Sequence, residues 1–461
     1  MKTAYASHRA FWLLVFLAIL IRGPVLYFAN QSLAQDPDAY QAIASTLHFQ
    51  KVFGLTTTDG EAIPTAFRPP LYPFLLSYFV TSNGSPDIRL IGLLHLIASV
   101  LTGIFIQGAT KAILKGHTNL RRAKQVSLLA ATLVILDPIL VQQSTFAMTE
   151  TIAALLTSMV FWLSTKRQSD DWSWKTSCGL GIAFSLAYLC RPTFLAWAAI
   201  FMAGESIATL VRRSKQSTQF RRRGLLKRCA ILLMILSTVG LWMDRNRRQL
   251  GHPSWATTHG GYTLLLGNNP LFYRHLESGG MLTRWDAQAF TTAYAYRFGE
   301  DGRNEGFWLR ARDQSQPPVP PSPDLTEHSD DQWSYHAAMA TIYRSPGTFF
   351  RSCVNRLYRL WTPFPFPSSD RSGLKRLVIA IFYLMLYLAS CIGFFRLIQQ
   401  RNLKALWCIA SLFLTLSFIH MFYWSNLRMR APAIPLLAVA AAAAFASIGS
   451  GIKQEQDVAH T

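Results

Sequence analysis

Asp36, Asp38 and Tyr40, in the stretch QDPDAYQAIASTL (35–47), set two carboxylates and a phenol within five residues, directly after a long apolar run. A third carboxylate, Glu150, follows Thr149 in FAMTETIAALL. Arg68 precedes Pro69 and Pro70 in AFRPPLYPFLLSYF, Arg191 precedes Pro192 in LAYLCRPTFLAW, and Arg428 and Arg430 open RMRAPAIPLL. A carboxylate can take the proton from an attacking hydroxyl. A guanidinium fork matches phosphate oxygens and stabilises charge that builds on them. Together these residue types suit a site for an anionic lipid head group and a hydroxyl acceptor. Each also has a local explanation. Thr149 and Glu150 read as a helix N-cap and first-turn acid, and the Asp pair as a cap near a helix start. Arg191 reads as a snorkelling side chain, and Arg428, Arg430, Tyr40 and Tyr72 as interfacial anchors. Asp36 and Asp38 are, besides, two hard oxygen ligands that suit Mg²⁺ or Mn²⁺.

The elements that must position these residues are membrane helices. Of the 461 residues, 51% are hydrophobic and 15% charged, and the apolar ones fall in long blocks. That is the distribution of an all-α polytopic membrane protein. Windows of about 20 apolar residues give about ten candidate spans: 10–29, 87–110, 125–143, 149–165, 176–190, 192–211, 229–243, 374–398, 405–424 and 431–449. The apolar run near the start is long enough to span, which favours a retained first helix over a cleaved signal peptide. A net charge of +21 does not imply a nucleic-acid partner, because the basic residues lie between apolar blocks and form no stripe with interleaved aromatics. Cys178, Cys190, Cys229, Cys353, Cys391 and Cys408 are scattered without the spacing of a disulfide framework or metal knuckle.

Lysine and arginine gather in KGHTNLRRAK, TKRQSDDWSWK, RRSKQSTQFRRRGLLKR and RLIQQRNLK, which makes these the cytoplasmic loops. Both chain ends then lie inside, and two long segments lie outside: a first loop, 30–86, and a soluble region of mixed structure, 244–373. The chain divides accordingly into an N-terminal membrane core 1–243, the outer region 244–373, and C-terminal helices 374–461. The outer region is rich in Arg and free of Lys and carries the loop-like run SQPPVPPSPD. Ionisable residues in the spans, Arg22, His95, Asp137, Glu150, Arg191 and His420, all fall toward the outer side. Such residues are functional candidates by default. A transporter would place them along a transit path near the midplane, often in repeated halves; no internal repeat is evident. The chemistry is therefore expected at the outer face of the plasma or inner membrane.

In order along the chain, these motifs resemble the GT-C superfamily of integral-membrane glycosyltransferases, of the protein O-mannosyltransferase and lipid A aminoarabinose transferase type. DPDAY is similar to the first-loop acidic motif with a Tyr four residues after its first Asp, FRPPLYP to the basic-Pro-Pro-Leu-Tyr segment, and AMTETIAALL to the second acidic site. LCRPT is similar to the Arg-Pro break, GGYTLLLGNNP to the Gly-Asn strip of the large outer loop, and RMRAPAIPLL to the final helix. Asp38 is separated from Asp36 by Pro37 rather than adjacent to it, and Arg68 stands where the aminoarabinose enzymes have Lys, so the sugar stays open.

The resemblance implies a polyprenyl-phosphate-linked sugar donor and a hydroxyl acceptor that is a lipid, a glycan or a protein. It implies Asp36 as general base of an inverting displacement, with Asp38 orienting it, contacting sugar hydroxyls or holding a cation. Glu150 is the second acidic contact. Arg68, Arg191, Arg428 and Arg430 are implied on the donor phosphate, and Tyr40, Tyr72 and Asn268 along the sugar or acceptor. A flippase of lipid-linked sugars and an inactive membrane subunit are the alternatives.

Overall fold

The computed structural model describes residues 2–28, 30–168, 171–212, 218–312, 317–322, 325–367 and 372–446. The chain ends, and parts of the Pro-rich run and of the third basic loop, lie outside them. Helix α1 (Lys2–Phe28) leads through α2 (Asn30–Ala34) into α3 (Tyr40–Phe49). A hairpin of β1 (Gly54–Thr56) and β2 (Ala62–Pro64), with Leu55 opposite Ile63, precedes α4 (Leu71–Ser77). Then come α5 (Ile88–Leu114), α6 (Leu120–Leu136), α7 (Pro138–Gln143), α8 (Glu150–Thr165), α9 (Trp174–Cys190), α10 (Thr193–Arg212) and α11 (Thr218–Leu250). Short helices follow: α12 (Gly260–Gly267), α13 (Pro270–Glu277), α14 (Gln288–Ala295) and α15 (Glu305–Leu309). The longer α16 (Glu327–Arg344) and α17 (Pro346–Trp361) complete that region, and α18 (Gly373–Gln399), α19 (Leu403–Phe422) and α20 (Ile434–Ala443) return to the bundle.

Each expected span contains helix among the described residues, although positions 29 and 447–449 lie outside them and α20 covers only Ile434–Ala443 of the last span. Among them five helices have by themselves the length and apolarity of a crossing: 10–28, α5, 222–250, α18 and α19. Glu150–Thr165 and Thr193–Ala208 are shorter apolar helices. The span read as 125–143 is broken at Asp137 and Pro138. Asp137 ends α6 and caps α7, accepting from the Leu140 amide at 2.9 Å. Val134 O, left without an i+4 amide by Pro138, accepts from Arg22 at 3.1 Å, and Arg22 also donates to Leu140 O at 2.9 Å. Tyr383 of α18 donates its hydroxyl to Asp137 at 2.8 Å. The ionisable groups at this level of the bundle thus serve a helix break.

Two further differences have local causes. The helix expected to stop at 243 runs on to Leu250, where Asp244 pairs with Arg247 and Arg248 at i+3 and i+4 outside the apolar block. While the first loop holds the β1–β2 hairpin, the region 244–373, expected on the outer side and of mixed structure, contains only helical elements among its described residues. Its aromatic core is formed by Phe290, Phe307 and Trp308 with Leu264 and Leu265.

The bundle core joins α5, α6 and α8 to α18 and α20. Here α20 reads as a run of alanines because backbones approach closely: a Cβ on Gly393 of α18 would collide with Ala440 O.

The outer region is tied to the first loop by one carboxylate. Glu327, first residue of α16, accepts from the Thr65 hydroxyl, from the Ala66 amide at 3.1 Å and from the Thr258 hydroxyl at 2.8 Å. Arg245 of α11 donates to Thr65 O and Phe53 O, both at 2.7 Å. Position 66 is two residues before Arg68, so this clamp sets where Arg68 emerges. Glu327→Gln would turn a donor toward donors. It is expected to cost about 1–3 kcal/mol, seen as a lower Tm and faster proteolysis within 54–66; an unchanged Tm would show the clamp to be dispensable.

Candidate active site

Asp36 precedes α3 and its Oδ2 accepts from the Ala42 amide at 2.8 Å, satisfying one of the amides that a helix start leaves bare. Its Oδ1 is buried and has no hydrogen-bond partner. Burial raises the Asp36 pKa above the ordinary carboxylate range, and backbone amides oppose this. Between Asp36 and the helix, Ala39 takes a left-handed conformation (φ 58°), a turn that costs a non-glycine residue energy.

Asp38 meets Arg68, whose Nη2 lies 2.6 Å from Asp38 Oδ1 and whose Nε donates to Asp38 O at 2.8 Å. The same guanidinium covers the Phe67 ring at 4.3 Å and the Tyr40 ring at 5.6 Å. Glu150, at the first turn of α8, pairs with Arg191 Nη2 at 2.7 Å, and Arg191 Nε donates to Thr149 Oγ1 at 2.9 Å. The α9–α10 break before Pro192 brings Arg191 there.

Arg428 stands between the two pairs, 3.8 Å from Asp38 Oδ2 and 3.8 Å from Glu150 Oε1. Its Nε has no hydrogen-bond partner, and its side chain is 31% exposed. The loop, the α8 start, the α9–α10 break and the turn before α20 thus converge at one end of the bundle. Three carboxylates and three guanidiniums balance there, with Arg428 the least committed of the bases.

Tyr40 and Tyr72 pack edge to face at 5.3 Å beside this cluster. Burial pushes the Tyr40 phenol up to about 12. Tyr72 is engaged elsewhere: His95 Nδ1 donates to Ser144 O at 2.8 Å, which leaves Nε2 as acceptor for the Tyr72 hydroxyl at 2.9 Å. Tyr72 therefore supports the wall rather than offering a free hydroxyl.

Two expected residues are not brought in. Arg430 donates to Thr362 O at 2.6 Å and Leu360 O at 3.2 Å and lies over the Tyr383 ring at 4.1 Å, facing the Asp137 break. Asn268 is fully buried. Its Nδ2 donates to Leu264 O at 2.8 Å and Phe422 O at 3.0 Å, while its Oδ1 accepts from Tyr273 and Arg356, both at 3.1 Å. It joins the outer region to the end of α19, with no group left for a ligand.

Sequence reasoning missed a groove of about 490 Å³ alongside the cluster. Pro138, Gln143, Met148, Arg284, Phe366 and Arg428 are among its lining residues. Arg284 carries no motif; it is one arginine among many in the outer region. As for a cation, no group of three or more His, Cys, Asp or Glu that could hold one is found among the described residues. Arg68 already supplies positive charge to Asp38, so Asp36 and Asp38 do not make a closed ligand set.

The bundle, with its acidic first loop and the helical region 244–373, shares its fold with a solved oligosaccharyltransferase. The particular structures that align with it include the archaeal oligosaccharyltransferase AglB from Archaeoglobus fulgidus, in complex with an inhibitory peptide and a dolichol-phosphate, at TM-score 0.51. Identity is 13%, over 96% of this chain and 50% of that one, so this chain spans about half the length of the oligosaccharyltransferase. ArnT from Cupriavidus metallidurans bound to undecaprenyl phosphate aligns over 93% of this chain and 77% of that one, at 14% identity and TM-score 0.37. No family model and no curated protein matches the sequence.

Proposed function

We propose that the chain transfers a sugar from a polyprenyl-phosphate donor to a hydroxyl acceptor at the outer face of the membrane, by inverting displacement. The observation that carries this reading is Arg428, an incompletely paired guanidinium shared between the carboxylate cluster and the groove. The dolichol-phosphate bound by the archaeal oligosaccharyltransferase of the same fold supports a lipid phosphate as leaving group.

In this mechanism the lipid phosphate enters laterally along the groove, with its charge against Arg428 and, beyond it, Arg284. Asp36 takes the proton from the acceptor hydroxyl as the hydroxyl oxygen attacks the anomeric carbon. The bond from that carbon to the phosphate oxygen breaks, and the new negative charge falls on oxygens that Arg428 faces. Arg68 and Arg191 act by holding Asp38 and Glu150 in place, and the acids keep Arg428 oriented before donor arrives. No general acid is required, because the departing phosphate is a good leaving group.

The test is to supply membranes containing the chain with a panel of labelled polyprenyl-phosphate sugars and identify the labelled product. A glycosylated lipid, glycan or protein with inverted anomeric configuration is expected. Label that crosses the membrane without changing its chemical form would favour a flippase instead.

A further inference from the structure

HGGYT (259–263) stands at the head of the Gly-Asn strip, whose Asn268 is spent on packing, yet its two rings border the carboxylate cluster. The Thr258 amide donates to Ala66 O at 3.0 Å, which seats His259 beside Phe67. Those two rings meet edge to face at 4.7 Å, and Tyr262 stacks on His259 at 4.8 Å. The row starts at Arg68, which covers Phe67 at 4.3 Å and pairs with Asp38. Its backbone is held firmly: the Gly261 amide donates to Asp331 Oδ1 at 2.6 Å, and a Cβ at Gly261 would collide with Asp331 O. The start of α12 therefore lies against α16 at a distance that only glycine allows.

Phe67, His259 and Tyr262 are all half-buried. Neither the ring nitrogens of His259 nor the Tyr262 hydroxyl has a hydrogen-bond partner among the described residues, and none of these atoms is sealed from solvent. Burial, with the Arg68 charge adding to it, pushes the His259 pKa down to about 3, so the ring is neutral near pH 7. A neutral imidazole offers one donor and one acceptor, and a phenol offers both. Uncharged polar atoms on an aromatic rim suit sugar hydroxyls, which also donate and accept. A phosphate would be drawn to the cations instead, and a hydrocarbon chain would leave the polar atoms unpaired.

The row and the groove meet Asp38 through different oxygens. Arg68 pairs with Oδ1 at 2.6 Å, whereas Arg428 approaches Oδ2 at 3.8 Å. Arg428 lines the groove, and none of Arg68, Phe67, His259 and Tyr262 does. An inverting displacement needs the acceptor oxygen on the face of the donor sugar opposite the departing phosphate. We propose that the rim formed by Phe67, His259 and Tyr262 binds a sugar ring of the acceptor, so that the acceptor is itself a saccharide; this rests on the transfer reading above.

Binding is read without donor, by saturation-transfer NMR on the full chain in a neutral detergent that has no sugar head group. The probes are disaccharides of glucose, galactose, mannose and N-acetylglucosamine, and a Ser- and Thr-containing peptide of similar size. At least one disaccharide is expected to bind. His259→Phe with Tyr262→Phe, which keeps both rings and removes the polar atoms, should weaken it about 10- to 30-fold. Tyr262→Phe alone, the loss of a single oxygen, should cost about 2- to 10-fold and keeps the test should the pair fail to fold. Tyr343→Ala, at an exposed aromatic of α16 outside the row, should leave binding unchanged. With the bound disaccharide as acceptor, the double variant should raise the acceptor KM and leave the donor KM as it was. No disaccharide bound, undiminished binding by the Phe variants, or preference for the peptide would overturn the proposal. The binding arm needs neither donor nor turnover. A chain that binds disaccharide at the row and transfers nothing would sink the transfer reading alone, and transfer with an unshifted acceptor KM in the variants would sink the rim alone.

Discussion

Replacing Asp36 with Asn is expected to lower sugar transfer by about 10²- to 10⁴-fold while leaving the chain folded. Asn keeps a carbonyl oxygen for the Ala42 amide, so α3 retains its cap. What is lost is the carboxylate whose second oxygen is buried without a partner. The pH profile gives an independent check. Because burial raises the Asp36 pKa, the carboxylate forms only above the usual range near 4, so the acid limb of kcat/KM is displaced upward and activity rises as pH passes through it. Asp36→Asn removes that limb. Full transfer by the variant, measured with a labelled donor, would take the base role from Asp36.

The second large effect separates Arg428 from Arg191. Arg428→Gln leaves Asp38 with Arg68 and Glu150 with Arg191, so the fold should stand. Transfer should fall about 10²- to 10³-fold through lost stabilisation of the departing phosphate. Lys at 428 should recover only part of it, since a point charge does not reproduce a fork. Arg191→Gln instead strands Glu150, whose side chain is 3% exposed, and should cost about 3–5 kcal/mol of stability. A drop in transfer with a preserved melting profile for Arg428→Gln, and a lowered profile for Arg191→Gln, is the expected pair of results. If Arg428→Gln transfers normally, the donor phosphate is held elsewhere.

The helices and most of the cluster were legible in the sequence for a shared physical reason. Charged residues at the ends of apolar blocks are forced to the membrane boundary, and alternation of the blocks decides which boundary. That logic brought Asp36, Asp38, Glu150, Arg68, Arg191 and Arg428 to one end. It could not separate Arg428 from Arg430. They lie on a turn of 3₁₀ helix, Leu427–Ala433, where positions two apart point in widely different directions, so one faces the carboxylates and the other the helix break. The Gly-Asn strip looked like part of a binding wall, but the amide of Asn268 is consumed by packing partners far away in the chain, Phe422 and Arg356. Arg284 enters the groove through the folding of the outer region, which leaves no local pattern to read.

The broken helix at Asp137 also bears on the order in which the protein can be completed. Its hydroxyl partner, Tyr383, is 246 residues further along the chain. At about 5–20 residues per second of synthesis, Asp137 is made about 12–50 seconds before Tyr383 exists. Through that interval the N-terminal half carries Asp137 in an apolar bundle with its helix cap and the nearby Arg22, but without the Tyr383 hydroxyl. The C-terminal helices therefore act as a late-arriving keystone, and a ribosome stalled before Tyr383 should leave a core prone to capture by membrane quality control.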